Sequence, residues 1–240
     1  MNRVNAPDGT PLVYDAYEPS TPARVALLVL SDWQPVELWT KSGAQLKEQG
    51  FAVYFLDQRG HGRSGGQRGH LSRFSQLLGD LQAFRRAVRR RLDAPQVLVG
   101  HGFGGLVVLR YLETQPGEPP AAAVISNPWL APRVRAPAWK RLAARLADLW
   151  PTLPTGRGRG YMTAGARAEL LWAQRAVLAD RQRIERPLLL VLGAQDPVSD
   201  SSIAKSFAES LASPSQVAWH MESTYDLVTD LIPFVLQHQS

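Results

Sequence analysis

The sequence of 240 residues contains no cysteine, so disulfide bonds, thiolate metal ligands and a cysteine nucleophile are all excluded. No stretch reaches the roughly 18 uncharged apolar residues that a membrane-spanning helix requires, and residues 1–9 (MNRVNAPDG) lack the apolar core of a signal peptide. The five histidines, at positions 61, 70, 101, 220 and 238, do not have the spacing of a metal site. We therefore expect no transmembrane segment, no metal and no cofactor, with the cytoplasm as the default location.

Acidic residues are in the minority, because 27 lysines and arginines face 21 aspartates and glutamates, which leaves a formal net charge of +6. A row of arginines shares one segment with apolar residues at helical spacing: Arg85, Arg86, Arg89, Arg90 and Arg91 beside Leu77, Leu81, Phe84, Val88 and Leu92. This pattern predicts an amphipathic helix whose arginines lie on the solvated side. Because no recognition motif or aromatic platform accompanies them, we expect no nucleic-acid partner. Peripheral contact with anionic lipid stays open, and the oligomeric state is not predicted.

Short apolar runs alternate with segments of helical period along most of the chain. The apolar runs are typical of strands buried on both faces, and they cover residues 25–30, 51–56, 96–99, 121–125 and 188–192. Residues 38–49, 75–92 and 104–115 have helical period. This alternation predicts an α/β fold: a mostly parallel sheet with helices on both faces and a functional site at the carboxyl ends of the strands.

Residues 127–186 interrupt the alternation, because they are rich in Pro, Arg, Ala and Trp and contain no apolar strand run. We predict one structural domain in which residues 1–126 and 187–240 form the core. Residues 127–186 would form an inserted helical cap over the functional edge of the sheet, with helices over 138–150 and 164–180. The aromatic residues of the cap are candidates either for lining a pocket or for packing the cap onto the core: Trp129, Trp139, Trp150, Tyr161 and Trp172.

Two loops that follow predicted strands carry motifs. Residues 57–64 read DQRGHGRS directly after a buried run, and residues 100–105 read GHGFGG between the next run and a helix. The first resembles the D-x-R-G-x-G-x-S loop of α/β-hydrolases, and the second resembles their G-x-S-x-G nucleophile elbow. Together with the cap, they make the chain similar over nearly its whole length to the monoacylglycerol-lipase and lysophospholipase group of the serine aminopeptidase S33 type. The resemblance implies an α/β-hydrolase fold and derivation from a carboxylester hydrolase.

Position 102 departs from the family pattern, because glycine occupies the place of the serine nucleophile. In the elbow a strand turns sharply into a helix, so the central residue takes a positive φ and small neighbours such as Gly100 and Gly104 are required. Glycine at this point relieves strain of roughly 1 kcal/mol or more. Gly102 should therefore stabilise the fold while removing the attacking oxygen, and neither His101 nor Phe103 can replace that oxygen from its place in the turn.

The resemblance also locates the other two members of the catalytic triad. Asp196, in the segment GAQDPV, matches the triad acid. Asp226, in the segment STYDL, stands where relatives carry the catalytic histidine. The general base is therefore missing as well, and His220, six residues earlier on a predicted strand over 216–220, is an alternative base only if the strict geometry of a triad is met.

The oxyanion hole differs from the family pattern too. In relatives it combines the amide after a His-Gly pair with the amide after the nucleophile, which here implies the backbone N–H groups of Trp33 and Phe103. The His-Gly position reads Ser31-Asp32, and an ionised Asp32 beside these amides would repel the anion that the hole stabilises. Three separate parts of the hydrolytic machinery differ together, which argues against a single inactivating substitution.

Three hypotheses of function are consistent with these residues. The first is a pseudo-hydrolase that binds a small apolar or acyl-bearing molecule, or a protein partner, without hydrolysing it. The second is a lyase, cyclase or isomerase in which Asp32 and Asp226, with His101 or Asp196, perform acid–base chemistry, since carboxylates crowded in a dry pocket suit proton transfer. The alternative for these two aspartates is that they are solvated loop residues. The third is an inactivated or redesigned carboxylester hydrolase.

Overall fold

The structure is a computed structural model, and it describes residues 2–21, 23, 25–30, 37–114, 117–133, 150–152, 162–221 and 227–238, with residues 37–40 described by their backbone alone. The strands in these ranges are β1 (Asn2–Asn5), β2 (Pro11–Tyr17), β3 (Ala26–Leu30), β4 (Ala52–Asp57), β5 (Gln96–His101), β6 (Ala122–Ser126), β7 (Leu188–Gly193) and β8 (Ser215–His220). The helices are α1 (Glu37–Glu48), α2 (Ser75–Arg91), α3 (Phe103–Thr114), α4 (Ala164–Asp180), α5 (Ser201–Glu209) and α6 (Leu227–Gln237), and a 3-10 turn, Arg181–Arg183, follows α4. None of the described helices is long and apolar enough to cross a membrane.

The strands form one sheet in the order β1-β2-β4-β3-β5-β6-β7-β8. From β4 to β8 all neighbouring strands are parallel, whereas β1 and β2 are added antiparallel at one edge. The chain passes from β3 to β4 on one side and then crosses to β5 on the other side of β3. Such a reversal of direction opens a crevice at the carboxyl ends of β3 and β5. The GHGFGG motif lies at this crevice, because it begins within β5 and ends within α3.

Apolar side chains cover both faces of the sheet, which explains why its central strands are continuous apolar runs. One face packs against α2, α3, α4 and α5, with Phe84, Leu106 and Phe207 among its buried residues. The opposite face packs against α1 and α6, with Leu46 and Phe234 buried there. The predicted mostly parallel sheet with helices on both faces is confirmed.

Where the structure describes them, the strands and helices predicted from the sequence lie within a few residues of their predicted positions, whereas α5 and α6 were not predicted. The apolar runs 96–99 and 188–192 correspond to β5 and β7, and the predicted helix over 164–180 is α4. The other predicted cap helix, 138–150, lies outside the described residues except for Trp150. The division of the chain into a core and a cap over 127–186 therefore stays a prediction.

One side chain in the arginine row contradicts the prediction of a solvated helix face. Arg85 is buried, with 6% of its surface exposed. Its guanidinium donates to Gln96 Oε1 (3.0 Å), to the Tyr111 hydroxyl (2.9 Å) and to the carbonyl oxygen of Glu118 (2.6 Å), and these acceptors replace the water that burial removes. The rest of the row reaches solvent as predicted: Arg86, Arg89, Arg90 and Arg91.

Candidate functional site

The turn between β5 and α3 has the backbone conformation of a nucleophile elbow. Gly102 lies between the end of β5 and the start of α3 with a φ of 55°, in the left-handed region that strains every residue with a side chain. Its amide donates to the carbonyl oxygen of Ser126 (3.0 Å), and its own carbonyl accepts from the amides of Leu106 (3.3 Å) and Trp129 (3.1 Å). The turn is therefore held by backbone hydrogen bonds to β6, to α3 and to the loop after β6.

Close approach of backbones explains the glycines on either side of the turn. A Cβ atom on Gly104 would lie 2.1 Å from the carbonyl oxygen of Leu30, at the end of β3. A Cβ atom on Gly100 would lie 2.7 Å from the Cα atom of Gly105. Contacts this short with backbone atoms cannot be relieved by a side-chain rotation. The elbow therefore packs directly onto the end of β3, and positions 100 and 104 require glycine for steric reasons.

Aromatic side chains form an apolar wall beside Gly102. Phe103 is buried (6% exposed), and its ring centre lies 6.2 Å from that of Phe74 and 5.9 Å from that of Trp129. Trp129 is half-buried. We call Phe74, Phe103 and Trp129 the aromatic wall. Trp139 and Tyr161 lie outside the described residues; of the three described aromatic residues predicted in the cap, Trp129 is the one beside the elbow, through its contacts with Gly102 and Phe103.

The polar side chain nearest to Gly102 in sequence is His101, the last residue of β5. Its Nδ1 lies 2.9 Å from Ser126 Oγ, because His101 and Ser126 are paired across the parallel strands β5 and β6. Ser126 is buried, whereas His101 is half-buried. His101 therefore has a hydroxyl partner at the carboxyl edge of the sheet.

The triad-acid position, Asp196, lies in the loop after β7 and is buried, with 9% of its surface exposed. Its Oδ1 accepts from the amides of Val198 (2.8 Å) and Ser199 (2.5 Å), and Arg133 donates to its backbone carbonyl (2.8 Å). The carboxylate thus stabilises its own loop. β7 is separated from β5 by one strand, so the end of β7 lies about 10 Å from the elbow.

Asn127 supports the same loop, although the sequence reasoning did not single it out. It is the one non-glycine residue with a positive φ, 41°, among the described residues. Its side-chain Oδ1 accepts from the Gly193 amide (2.8 Å), and its own amide donates to Val191 (3.1 Å). Asn127 therefore ties the end of β6 to the end of β7. Its residue type and position are the features that could have indicated this role, because asparagine tolerates the left-handed region and Asn127 directly follows a buried strand.

Three predicted site residues lie outside the described residues: Asp32, Trp33 and Asp226. The base position, the amide of Trp33 in the oxyanion hole and the proposed acid–base pair therefore stay predictions, as do the pocket roles of Trp139 and Tyr161.

His220, the alternative base, is held by a different partner. It ends β8, and its Nε2 lies 2.7 Å from Asp230 Oδ2 on α6. β8 lies three strands away from β5, so the two strands are separated by about 14 Å. Both observations argue against a role for His220 at the elbow.

The other motif, residues 57–64 after β4, is a densely bonded structural loop that we call the β4 loop. Arg59 is buried (8% exposed), and its guanidinium donates twice to Asp80 (2.6 Å each) and once to Asp8 (2.8 Å). Arg63 similarly joins Asp57 (2.7 Å) to Asp15 (2.7 Å). The charged side chains of the β4 loop therefore connect β4, α2, β2 and the turn before β2.

Burial and pairing shift the ionisation of groups in and around the β4 loop. Burial lowers the pKa of His61 to about 4, although the hydrogen bond of its Nδ1 to the Arg59 carbonyl (3.0 Å) acts in the opposite direction. Burial raises the pKa of Asp80, against the lowering effect of Arg59. Hydrogen bonding to Arg59 holds the pKa of Asp8 well below its usual range. The loop thus has a neutral, half-buried histidine beside a charged arginine at neutral pH.

Helix α4 is attached to the core at several points along its length. Three polar contacts join them: Glu169 Oε2 accepts from the Phe74 amide (2.6 Å), the Thr163 amide donates to the Gly69 carbonyl (2.9 Å), and Gln174 Nε2 donates to the Trp129 carbonyl (2.8 Å). Because Trp129 also bonds to Gly102, α4 reaches the elbow through one intervening residue. The remaining described aromatic residues of the predicted cap point to solvent: Trp150 is 70% exposed and Trp172 is 51% exposed.

Within the described part of the chain, no group of three or more His, Cys, Asp or Glu side chains lies together in a way that could hold a metal ion. The groups that the described site offers are therefore an elbow with glycine at its centre, an apolar aromatic wall, and a buried carboxylate two strands away.

Comparison with known proteins assigns this arrangement to a family. Residues 37–159, just over half of the chain, match the serine aminopeptidase S33 family. The chain belongs to this family. The monoacylglycerol lipase of Mycolicibacterium smegmatis is 34% identical over 122 residues, which cover 50% of this chain and 43% of that protein. The monoglyceride lipase of Rattus norvegicus is 26% identical over an alignment that covers 97% of this chain and 84% of the rat protein.

Solved structures agree with the family assignment. The chain is similar to a soluble variant of monoglyceride lipase from Saccharomyces cerevisiae in complex with a substrate analog, with a TM-score of 0.82 and 14% identity over 99% of this chain and 95% of that one. This likeness confirms the predicted α/β-hydrolase fold. The predicted resemblance to the monoacylglycerol-lipase and lysophospholipase group is also confirmed, so the chain is a lipase- or esterase-like α/β-hydrolase. The chain spans less than half the length of the mycobacterial relative.

Proposed function

We propose that the chain is a pseudo-hydrolase, an α/β-hydrolase that binds a small apolar or acyl-bearing molecule and does not hydrolyse it. The observation that carries the proposal is Gly102. The elbow keeps its positive φ and its close packing onto β3, yet the residue at its centre has no side chain. The scaffold that presents a nucleophile in the family is therefore present without the nucleophile.

The expected loss of hydrolysis is large. Members of a catalytic triad act as a unit, and removing the nucleophile alone costs a factor of about a million in kcat. The sequence also has Asp226 at the position of the histidine base. Any remaining rate enhancement would have to come from binding and from the amide of Phe103, and one or two oriented amides cannot replace a nucleophile and its base.

Binding does not require the missing groups. The aromatic wall of Phe74, Phe103 and Trp129 is built by α2, α3 and the loop after β6, and none of its contacts uses a side chain at position 102. Relatives named as monoacylglycerol and monoglyceride lipases share the fold and the family. These two points support an acyl chain as the bound group, lying against the aromatic wall beneath the predicted cap over 127–186.

The proposal includes no nucleic-acid partner. Arg85, a member of the arginine row, is buried and bonded within the fold, so the row presents fewer cations to solvent than its sequence indicates. An oligomeric state forms no part of the proposal, and peripheral contact with anionic lipid is left to experiment.

Ligand-dependent thermal stabilisation tests binding. A medium-chain monoacylglycerol, its fatty acid and a lysophospholipid are added to the full chain, and a ligand at 100 times its Kd should stabilise the fold by about 2.7 kcal/mol. Trp129→Ala should weaken the effect, because Trp129 belongs to the aromatic wall. Trp150→Ala is the matched control, since its ring is mostly exposed. Absence of stabilisation by all three compounds would contradict the proposal.

Cleavage of a short p-nitrophenyl ester tests the absence of hydrolysis and separates the pseudo-hydrolase from an inactivated enzyme. The chain itself should show no turnover above the background rate. A folded variant that restores the family residues is then assayed: Ser31→His, Asp32→Gly, Gly102→Ser and Asp226→His. Strong ester cleavage by this variant would favour a recently inactivated hydrolase, whereas a folded but inactive variant that still binds ligand would support a pocket adapted to binding alone.

A further inference from the structure

An arginine in the middle of α3 is shared between two carboxylates on different helices. Arg110 Nη1 lies 2.7 Å from Glu113 Oε2 on its own helix and 3.4 Å from Asp180 Oδ2 at the end of α4. The guanidinium carbon also lies 5.0 Å from the ring centre of Trp172 on α4. Arg110 is therefore the point at which the helix that begins at the elbow is joined electrostatically to α4.

The pair formed by Arg110 and Glu113 is incompletely satisfied. The Glu113 side chain is fully buried and the Arg110 side chain is 12% exposed. Glu113 Oε1 and Arg110 Nε are buried without a hydrogen-bond partner among the described residues. A buried ion pair repays its desolvation only when the remaining polar atoms are also bonded, so the ionised form of Glu113 is poorly compensated at this position.

Burial makes the Glu113 carboxyl change its charge near neutral pH. Burial raises its pKa to about 7, against the lowering effects of the hydrogen bond and charge of Arg110. Two charged groups from neighbouring elements act on it as well: Asp180 on α4 raises the pKa, and Arg183 in the 3-10 turn lowers it. The Asp180 side chain is 39% exposed, whereas the Glu113 side chain is fully buried.

The position of this cluster connects it to the candidate site. α3 begins directly after Gly102, and α4 donates a hydrogen bond from Gln174 to the carbonyl of Trp129, whose amide bonds to Gly102. Because Gln174 on α4 is bonded to Trp129, we expect a change in the packing of α4 against α3 to affect the position of Trp129 in the aromatic wall.

We propose that Glu113 and Asp180 compete for Arg110, so that protonation of Glu113 releases the guanidinium to Asp180 and tightens the packing of α4 on the elbow helix. When Glu113 is ionised, Arg110 forms its shorter bond within α3. When Glu113 is neutral, it no longer competes for the guanidinium. Asp180 is then the one carboxylate of this cluster that forms an ion pair with Arg110, and this pair joins α4 to α3. The switch operates without a ligand, so its test is independent of the proposed function.

Amide hydrogen exchange of α4 tests the proposal in the free chain. After correction for the intrinsic pH dependence of exchange, amides of α4 should be about fivefold better protected at pH 6 than at pH 8, the size expected when a partly exposed ion pair is gained in one state. Glu113→Gln, which is neutral at both values, should show the high protection at pH 6 and at pH 8. A pH-dependent protection of α4 that persists unchanged in Glu113→Gln would overturn the proposal.

A second variant keeps the test decisive if the buried substitution impairs folding. Asp180→Asn removes the receiving carboxylate at a partly exposed position, so α4 should keep the lower protection at both pH values. Retention of the full pH dependence in Asp180→Asn would also overturn the proposal. Glu209→Gln is the matched control, because Glu209 is an exposed carboxylate paired with Lys205 on α5, and it should leave the exchange of α4 unchanged.

Discussion

The two family motifs of this chain differ in what holds them in place. The elbow at residues 100–105 is held by close backbone contacts and by backbone hydrogen bonds around Gly102. The β4 loop is held by charged side chains, with Arg59 and Arg63 each joining two carboxylates. The elbow therefore depends on the absence of side chains, whereas the β4 loop adds ion pairs to glycines of its own: Gly60 and Gly62 have positive φ, and a Cβ atom on either would lie 2.6 Å from another atom of the chain.

The comparison distinguishes the contacts that hold each loop in place from the side chain that would react with a substrate. The β4 loop retains every charged partner that its geometry uses, and all of its bonds serve the fold. The elbow retains every steric requirement of its turn and lacks only the side chain that would react. The elbow can thus keep the backbone conformation of its turn with glycine at the centre, because its contacts do not use a side chain at position 102.

The largest effect on stability should come from removing the charge at the centre of the β4 loop. Arg59→Ala leaves Asp80, whose side chain is 3% exposed, buried without its cation, and breaking a buried pair in this way costs about 3–5 kcal/mol. Urea denaturation measures the loss. Arg89→Ala is the control, because the partners of Arg89 are exposed and such pairs contribute at most about 1 kcal/mol. Equal losses in the two variants would contradict the structural role of the β4 loop.

The corresponding change in the elbow adds atoms instead of removing them. Gly104→Ala places a Cβ atom 2.1 Å from the Leu30 carbonyl oxygen, so β3 and α3 must separate, and overpacking of this kind costs up to about 3 kcal/mol. Denaturation curves of Gly104→Ala and Gly79→Ala provide the comparison. Gly79 lies within α2 and its nearest obstacle is the Pro7 ring at 3.3 Å, so that variant should stay within about 1 kcal/mol of the parent.

Much of this comparison could be predicted from the sequence, because it rests on local patterns. The alternation of apolar runs and helical periods identified β3 to β7 and α1 to α3, since strand and helix periods are read from neighbouring residues. The positive φ of Gly102 and the need for Gly100 and Gly104 followed from the elbow motif and are present in the structure. The motif is recognised within a few residues of chain, although the atom that excludes a side chain at Gly104 belongs to Leu30 on β3.

Other features depend on residues that are distant in sequence, and they could not be predicted. Arg85 belongs to a row that reads as solvated, yet it is buried by acceptors on β5, α3 and the segment after α3. Arg110 and Glu113 lie three residues apart on α3, and the structure adds Asp180, at the end of α4, to this pair and buries the Glu113 side chain fully. Tertiary packing, which a helical pattern does not encode, determines both outcomes.

The pH dependence of stability gives a third comparison, centred on His61 in the β4 loop. Burial lowers its pKa from 6.5 to about 4, so the unfolded chain binds a proton between these values while the folded chain does not. The contribution of His61 to the free energy of unfolding should therefore be fully present above about pH 6.5. It should decrease as the pH drops towards 4, by roughly 2 kcal/mol at pH 4.5.

Urea midpoints from pH 4.5 to pH 8 measure this contribution of His61. The reference is His61→Asn, which keeps a donor near the Arg59 carbonyl but does not titrate. Both chains should carry Glu113→Gln, because Glu113 contributes with the opposite sign: its raised pKa makes the fold less stable as the pH rises from 4.5 towards 7. Parallel pH profiles for the two chains would show that His61 is not the source of the acid sensitivity.

The smallest expected effect concerns the residue that distinguishes the elbow from that of its relatives. Gly102→Ser should lower the free energy of unfolding by about 1 kcal/mol, because a side chain at a φ of 55° is strained. Gly9→Ala is the matched control: its φ is 82° and a Cβ atom there meets nothing within 4 Å, so its cost is conformational alone. If Gly102→Ser costs no more than Gly9→Ala, the elbow accommodates a serine sterically, and the proposed absence of hydrolysis would follow from the substituted residues and not from a collapsed turn. A much larger cost would mean that the turn has closed around glycine, and the framework would then no longer be that of an active relative.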